Sequence, residues 1–184
     1  MKKYLLLAVT AILAISSVHA QRYFTREGKV SFFSDTPMEK IEAHNSKATS
    51  VWDTQSGKME FAVLIKAFQF EKALMQEHFN ENYMESDKYP KATFKGAFTD
   101  TKNVNLAKDG EYPVTVKGTM EIHGVSNSLE APGKIIVKGG KVKAMSSFEI
   151  AVADYNIEIP GVVREKIAKT VRVDVDVDYE ELKK

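Results

Sequence analysis

Apolar and polar residues alternate with a period of two along most of the chain after residue 20, the pattern of strands that bury one face. The clearest run lies near the C-terminus, where Val171, Val173, Val175, Val177 and Tyr179 alternate with Arg172, Asp174, Asp176 and Asp178. Met59, Phe61, Val63 and Ile65 repeat it after a turn-forming Thr-Gln-Ser-Gly at 54–57. Tyr112, Val114, Val116, Gly118, Met120 and Ile122 predict another long strand. Residues 134–137 and 142–152 read as a hairpin around Lys-Gly-Gly-Lys, whose glycines supply the positive φ angles of a tight turn. Stretches 23–33, 41–52 and 92–98 bring the count to about eight strands, several of ten residues or more. Long antiparallel strands joined by hairpins favour a closed barrel, because closure removes exposed edges; a sandwich is the alternative. An eight-stranded barrel has an interior just wide enough to be filled by side chains or to hold one small ligand.

Two segments break the alternation. Residues 71–82 place Leu74, Met75, His78 and Phe79 on one helical face, with Lys72, Gln76, Glu77, Asn80 and Glu81 on the other. Residues 162–168, after Pro160-Gly161, predict a short helical turn. Both fall between strands, where a barrel carries its caps. No internal repeat, low-complexity stretch or linker interrupts 21–184, which reads as a single all-β domain: an eight-stranded antiparallel barrel with one short helix.

The first 20 residues have a different character. Lys2 and Lys3 precede an apolar run from about residue 4 to 15, and Val18 and Ala20 occupy the small-residue positions of a cleavage site. This is the form of a secretory signal peptide cleaved after Ala20, which implies a periplasmic or secreted protein. The mature chain then keeps 24 of the 26 basic residues against 25 acidic ones, a net charge of about −1. Such a balance offers no basic patch for nucleic acid, and no later segment is apolar enough to span a bilayer. With no cysteine there are no disulfides and no thiol chemistry.

The chemical motifs are sparse. His44, His78 and His123 fall on three elements without a local partner, whereas zinc sites usually show one. The aspartates at 174, 176 and 178 open like a calcium loop, but Tyr179 stands where that loop needs glycine. Ser126 and Ser128 near His123 read as a polar turn rather than a triad, and no G-x-S-x-G elbow or phosphate loop is present. The apolar inventory says more: ten phenylalanines and seven methionines, the latter suited to surfaces that accept a flexible apolar ligand. Phe68 and Phe70 precede the predicted helix, and Phe94 and Phe98 follow it. The competing explanation is that these side chains simply fill the barrel.

Three stretches carry a resemblance: Lys-Tyr-Pro-Lys-Ala-Thr-Phe-Lys-Gly at 88–96, G-x-M-x-I-H-G-V at 118–125, and F-x-I-x-x-x-D-Y-x-I-x-I-P at 148–160. Together, over essentially the whole mature chain, they resemble the YceI-like family. The chain departs from the commoner family pattern just before Lys88, with Tyr83 and Met84 where many members carry paired aromatics. The resemblance implies an exported lipocalin-like barrel that binds a long isoprenoid or similar lipid without covalent chemistry, for transport or storage. No metal is expected, and no cofactor beyond a bound isoprenoid-type lipid. Phe61, Phe68, Phe70, Phe94, Phe98, Ile122, Phe148 and Ile150 are then the expected inward-facing residues. Leu74, Met75, Phe79, Tyr83 and Met84 would sit at the mouth, with His78, His123, Asp154 and Tyr155 as polar groups for a head group. An unpaired strand stretch would support a homodimer. Two other readings differ in class: a lipid- or quinone-modifying enzyme using His78 or His123, and a stress-related barrel filled by its own side chains.

Overall fold

The computed structural model describes residues 21–183; the expected signal peptide at 1–20 lies outside the described residues. Nine strands follow in order: β1 (Arg22–Asp35), β2 (Lys40–Asp53), β3 (Lys58–Leu64), β4 (Gln69–Phe70), β5 (Lys91–Thr99), β6 (Gly110–Ile122), β7 (Val125–Lys138), β8 (Lys141–Ala151) and β9 (Thr170–Glu181). Neighbours run β1-β9-β8-β7-β6-β5-β3-β2, and β2 pairs back onto β1. Eight long antiparallel strands therefore close into a barrel, and the two-residue β4 adds a short piece to β2. Every long strand has a neighbour on each side, although β2 meets β3 only over residues 49–52 and β4 over 43–44.

Inside the barrel the alternation does what the sequence implies. Val171, Val173, Val175 and Val177 line the interior, while the intervening aspartates lie outside. Those aspartates are partnered across the ladder: Lys143 Nζ sits 2.6 Å from Asp176 and 3.5 Å from Asp178, and the Ser147 hydroxyl donates to Asp174 at 2.6 Å. Two hairpins use two-residue turns with both φ angles positive, at His123-Gly124 (52° and 73°) and Gly139-Gly140 (56° and 75°). Such turns match the right-handed twist of the strands they join.

The structure corrects several boundaries. β7 begins at Val125, nine residues before the expected start at 134. Ser126, Asn127, Ser128, Pro132 and Gly133 look like turn residues locally, but continuous pairing with β6 from Ile122↔Val125 to Gly110↔Val137 holds them extended. The expected helix at 71–82 is a six-residue helix α1 (Ala73–His78) that widens into a π-helical turn at Phe79–Tyr83. Lys72 supplies no side-chain cap, and the Asn80 amide donates to the Gln76 carbonyl at 2.8 Å, competing with the backbone ladder. The turn expected at 162–168 is a 3₁₀ turn at Gly161–Val163.

A pair of β-bulges shifts the phase of β1 and β2. The register slips in β1 between Thr25 and Gly28 and in β2 between Asn45 and Ala48. Tyr23 and Thr25 face inward in odd phase, then Gly28, Val30 and Ser34 in even phase. Gly28 is opposite Ala48, and a Cβ at 28 would sit 3.1 Å from the Ala48 carbonyl oxygen, so the two strands meet closely there. Buried Asn45 stands just before the bulge in β2. Its amide donates to the Leu64 carbonyl at 2.9 Å and its oxygen accepts from the Lys47 amide at 2.8 Å. A buried group left without such partners would cost about 1–3 kcal/mol.

The end of the barrel opposite the 36–39, 65–90 and 152–169 connections is sealed by rings. Trp52 packs against Phe98 (5.2 Å, edge-on), Tyr23 (5.6 Å) and Tyr179 (5.8 Å). The Tyr179 hydroxyl bonds Ser50 Oγ at 2.8 Å. Burial pushes the Tyr179 phenol well above its usual range, opposed in part by the Ser50 hydrogen bond. Burial and then the Glu181 carboxylate raise Tyr23. Both phenols thus hold their protons more tightly folded than unfolded. Their stabilisation is complete below pH about 10 and is lost as pH rises through the folded values. A phenolate absorbance titration is expected to show Tyr179 ionising only together with loss of the sheet's circular dichroism. Reversible titration of every phenol with the sheet intact would contradict the seal.

Candidate functional site

Above the sealed end the barrel encloses a cavity of about 490 Å³. Its walls are the inward rows of the strands: Val30 and Phe32 from β1, Met59, Phe61 and Val63 from β3, Phe94 and Phe98 from β5, Met120 and Ile122 from β6, and Phe148 and Ile150 from β8. Polar side chains concentrate at the rim, as Ser34, Glu39, Lys72, His78 and Lys166; deeper ones are few, notably Thr93 and Ser146. Ser146 already donates to the Pro132 carbonyl at 2.7 Å. The interior therefore offers contact area with almost no hydrogen-bonding direction.

One wall is not a strand. β2 pairs with β3 only from Thr49↔Ala62 to Trp52↔Met59, because β3 stops at Leu64. Above that, β4 takes two pairs, Ala43↔Phe70 and His44↔Gln69, and the segment through α1 and the π turn covers the opening. Four rings hold this cover. Phe79 stacks on Phe32 at 5.3 Å and contacts Phe70 at 5.0 Å and Phe68 at 5.7 Å, while Phe32 meets Phe68 edge-on at 5.4 Å. Aromatic pairs of this geometry add about 0.5–1.5 kcal/mol each beyond their buried area.

A glycine pair shapes the floor. Gly96 and Gly118 face each other across β5 and β6, and the Phe94 ring lies over both. A side chain at either position would collide with the backbone of the opposite strand and with that ring.

All but three of the residues singled out in the sequence line this cavity: Phe61, Phe68, Phe70, Leu74, Met75, His78, Phe79, Tyr83, Met84, Phe94, Phe98, Ile122, Phe148 and Ile150. Burial raises the Tyr83 phenol, so it stays neutral against the apolar lining. Sequence reasoning missed Met59, Val63 and Met120, although each occupies the same strand phase as a residue it named. It also missed Phe32, whose phase is concealed by the bulge upstream. His123, Asp154 and Tyr155 do not line the cavity.

Those three instead build a corner. His123 Nε2 lies 2.9 Å from Glu85 Oε2, Nδ1 lies 3.2 Å from the Tyr155 carbonyl oxygen, and the Tyr89 ring meets the imidazole edge-on at 4.6 Å. The Asp154 carbonyl accepts from the Asn127 amide at 2.7 Å, and Tyr155 is buried beside Ile122, Met84 and Ile157. A Cβ at Gly124 would fall 2.5 Å from the Tyr89 ring. Among the described residues no group of three or more histidines, aspartates or glutamates is placed to hold a metal ion.

The structure is thus a closed antiparallel barrel around an apolar cavity, with most of the cavity's polar groups gathered at its rim. The sequence profile of the YceI-like domain matches residues 15–179, and the chain belongs to the YceI family. Comparison with curated protein sequences gives no match. Among solved structures it resembles a polyisoprenoid binding domain from Saccharophagus degradans implicated in plant cell wall breakdown, with TM-score 0.73 and 17% identity over 89% of this chain and 99% of that one. Burkholderia cenocepacia BcnA superposes with TM-score 0.69 at 17% identity, covering 83% of this chain and 96% of its own. The Campylobacter jejuni YCEI protein gives TM-score 0.61 at 18% identity over the whole of both chains. At these identities the likeness is one of fold.

The three stretches that carried the family resemblance meet at the corner just described. Tyr89 comes from the first, His123 and Gly124 from the second, and Tyr155 from the third. Their shared task is to fasten the β6–β7 turn to the loops on either side. His123→Ala is accordingly expected to destabilise the barrel by about 1–3 kcal/mol, and His78→Ala, at an exposed position, by less than about 0.5 kcal/mol. Paired denaturant titrations check this; equal effects would remove His123 from the fastening.

Proposed function

We propose that the protein is an exported, non-enzymatic carrier or store for a long apolar lipid of polyisoprenoid type, held as a single chain inside the barrel. The observation that carries the reading is the cavity, whose walls are almost wholly apolar along the strands and whose polar groups gather at the rim. Its volume falls in the range of about 300–1,000 Å³ typical of ligand pockets. Each methylene buried there contributes about 0.8 kcal/mol, so a few five-carbon units would bind well after ordering costs. Such energy selects for length and girth. A polar end group of the lipid is best accommodated among Ser34, Glu39, Lys72, His78 and Lys166.

Family membership and the polyisoprenoid binding domain among its structural neighbours support the ligand class. Export is supported by the charged, apolar and small-residue sequence of residues 1–20. The enzymatic alternative loses one candidate, because both ring nitrogens of His123 are engaged in the corner outside the cavity. An enclosed volume of about 490 Å³ weighs against a barrel filled by its own side chains.

Native purification followed by solvent extraction and mass spectrometry is expected to release a prenyl-chain lipid in stoichiometric amount; a clean blank would sink the proposal. Val175→Trp projects an indole into the lined space from β9. It is expected to lower lipid recovery at least about tenfold, a loss of about 1.4 kcal/mol in binding, while the barrel stays folded. Unchanged recovery would place the ligand elsewhere.

A further inference from the structure

The rim of the cavity has a property that lipid storage alone does not require. Among the described residues, the three most exposed large apolar side chains are Val162 at 92%, Met38 at 61% and Leu74 at 61%. Each comes from a different connection, yet all three connections lie at the same open end. Met38 is in the β1–β2 turn, Leu74 is on α1, and Val162 is on the strap between β8 and β9. These connections touch one another: Lys72 Nζ reaches Glu39 at 3.5 Å, and the Ala168 amide donates to Ser34 Oγ at 2.8 Å. Apolar side chains held this far into water, converging from three loops onto one face, mark a surface that meets an apolar partner.

Charge and continuity decide which partner. The half of the strap nearest β9, residues 161–169, carries Arg164, Lys166 and Lys169 against Glu165, while Asp154 and Glu158 fall in its other half; none of the four charges at 161–169 is in an ion pair among the described residues. The acids of the neighbouring turn are paired, Asp35 with Lys40 and Glu39 with Lys72. Glu71, just before α1, and Glu77 of α1 line instead a separate polar crevice with Lys66 and Asp87. Leu74 and Val163 belong to both the rim and the cavity, so the apolar lining continues outward to the exposed residues. A protein partner would cover that opening. A bilayer would extend it, offering an apolar phase beneath anionic head groups that the strap's bases would meet.

We infer that the open end of the barrel is a docking face for an anionic lipid bilayer, with Met38, Leu74 and Val162 as the inserting side chains and Arg164, Lys166 and Lys169 as the head-group contacts. A lipid chain then passes between cavity and membrane without crossing water. The inference uses the carrier reading for its purpose, but the docking stands on the rim residues themselves.

Flotation with vesicles of phosphatidylethanolamine and phosphatidylglycerol tests it, with phosphatidylcholine vesicles for comparison and lipid extraction run on every sample. The purified protein is expected to float with the anionic vesicles and much less with phosphatidylcholine. Met38→Asp with Val162→Asp, both outside the cavity lining, is expected to reduce flotation at least about tenfold with extracted lipid unchanged. Arg164→Glu with Lys169→Glu is expected to remove the preference for anionic vesicles. Flotation of the Met38/Val162 variant at the unsubstituted level would overturn the inference, as would a loaded protein that ignores both kinds of vesicle; in the latter case the carrier reading survives. Floating protein with no extractable lipid would uphold the docking face and remove the carrier.

Discussion

β3 is seven residues long beside a β2 of fourteen, and the upper half of the barrel is organised around that mismatch. A strand that loses its neighbour exposes backbone donors and acceptors that must find partners elsewhere. Asn45 answers part of this need by reaching from β2 to the last carbonyl of β3, and β4 answers another part with two ladder pairs. What remains open is covered by residues 65–84. Because that cover is attached by few backbone bonds, side-chain packing must hold it, which accounts for the Phe32, Phe68, Phe70 and Phe79 cluster. The same cluster is a wall of the cavity, so the interruption of one ladder and the apolar character of the site have a common origin.

The two ends of the barrel illustrate opposite uses of aromatic side chains. At the sealed end Trp52, Tyr23, Phe98 and Tyr179 pack on one another, with the Ser50 hydrogen bond satisfying a phenol that burial would otherwise penalise. Toward the open end the rings line space rather than fill it. The glycine pair Gly96–Gly118 helps to set this boundary, since the absence of two side chains lets the Phe94 ring lie flat against the sheet. Larger residues there would push the ring toward the cavity.

The His123 corner shows how a motif can suggest chemistry and perform fastening. A histidine beside glycine and two serines invites a catalytic reading. Its positive φ of 52° and its two hydrogen bonds place it instead in a hairpin turn joined to Glu85 and Tyr155. His78 has the complementary position, on the cover and at the cavity rim, with no such network around it. Local sequence treats the two histidines alike; their surroundings make one structural and leave the other facing the site.

Strand content, the barrel, the hairpin at Gly139-Gly140 and the greasy segment between Phe68 and Phe98 were legible in the sequence, because side chains alternate strictly along an extended chain and glycine pairs favour tight turns. The family was legible too, from motifs spread over three strands. Three things were decided only by the tertiary structure. The bulges in β1 and β2 set the phase that turns Phe32 inward, and a bulge depends on the partner strand. The first half of β7 is extended only because β6 pairs with it. The gathering of Met38, Leu74 and Val162 at one rim depends on closure, which brings connections from residues 36 to 169 to the same end. Alternation is a property of neighbours in sequence, whereas register, closure and the composition of a rim are properties of strands distant in sequence that meet only in the folded barrel.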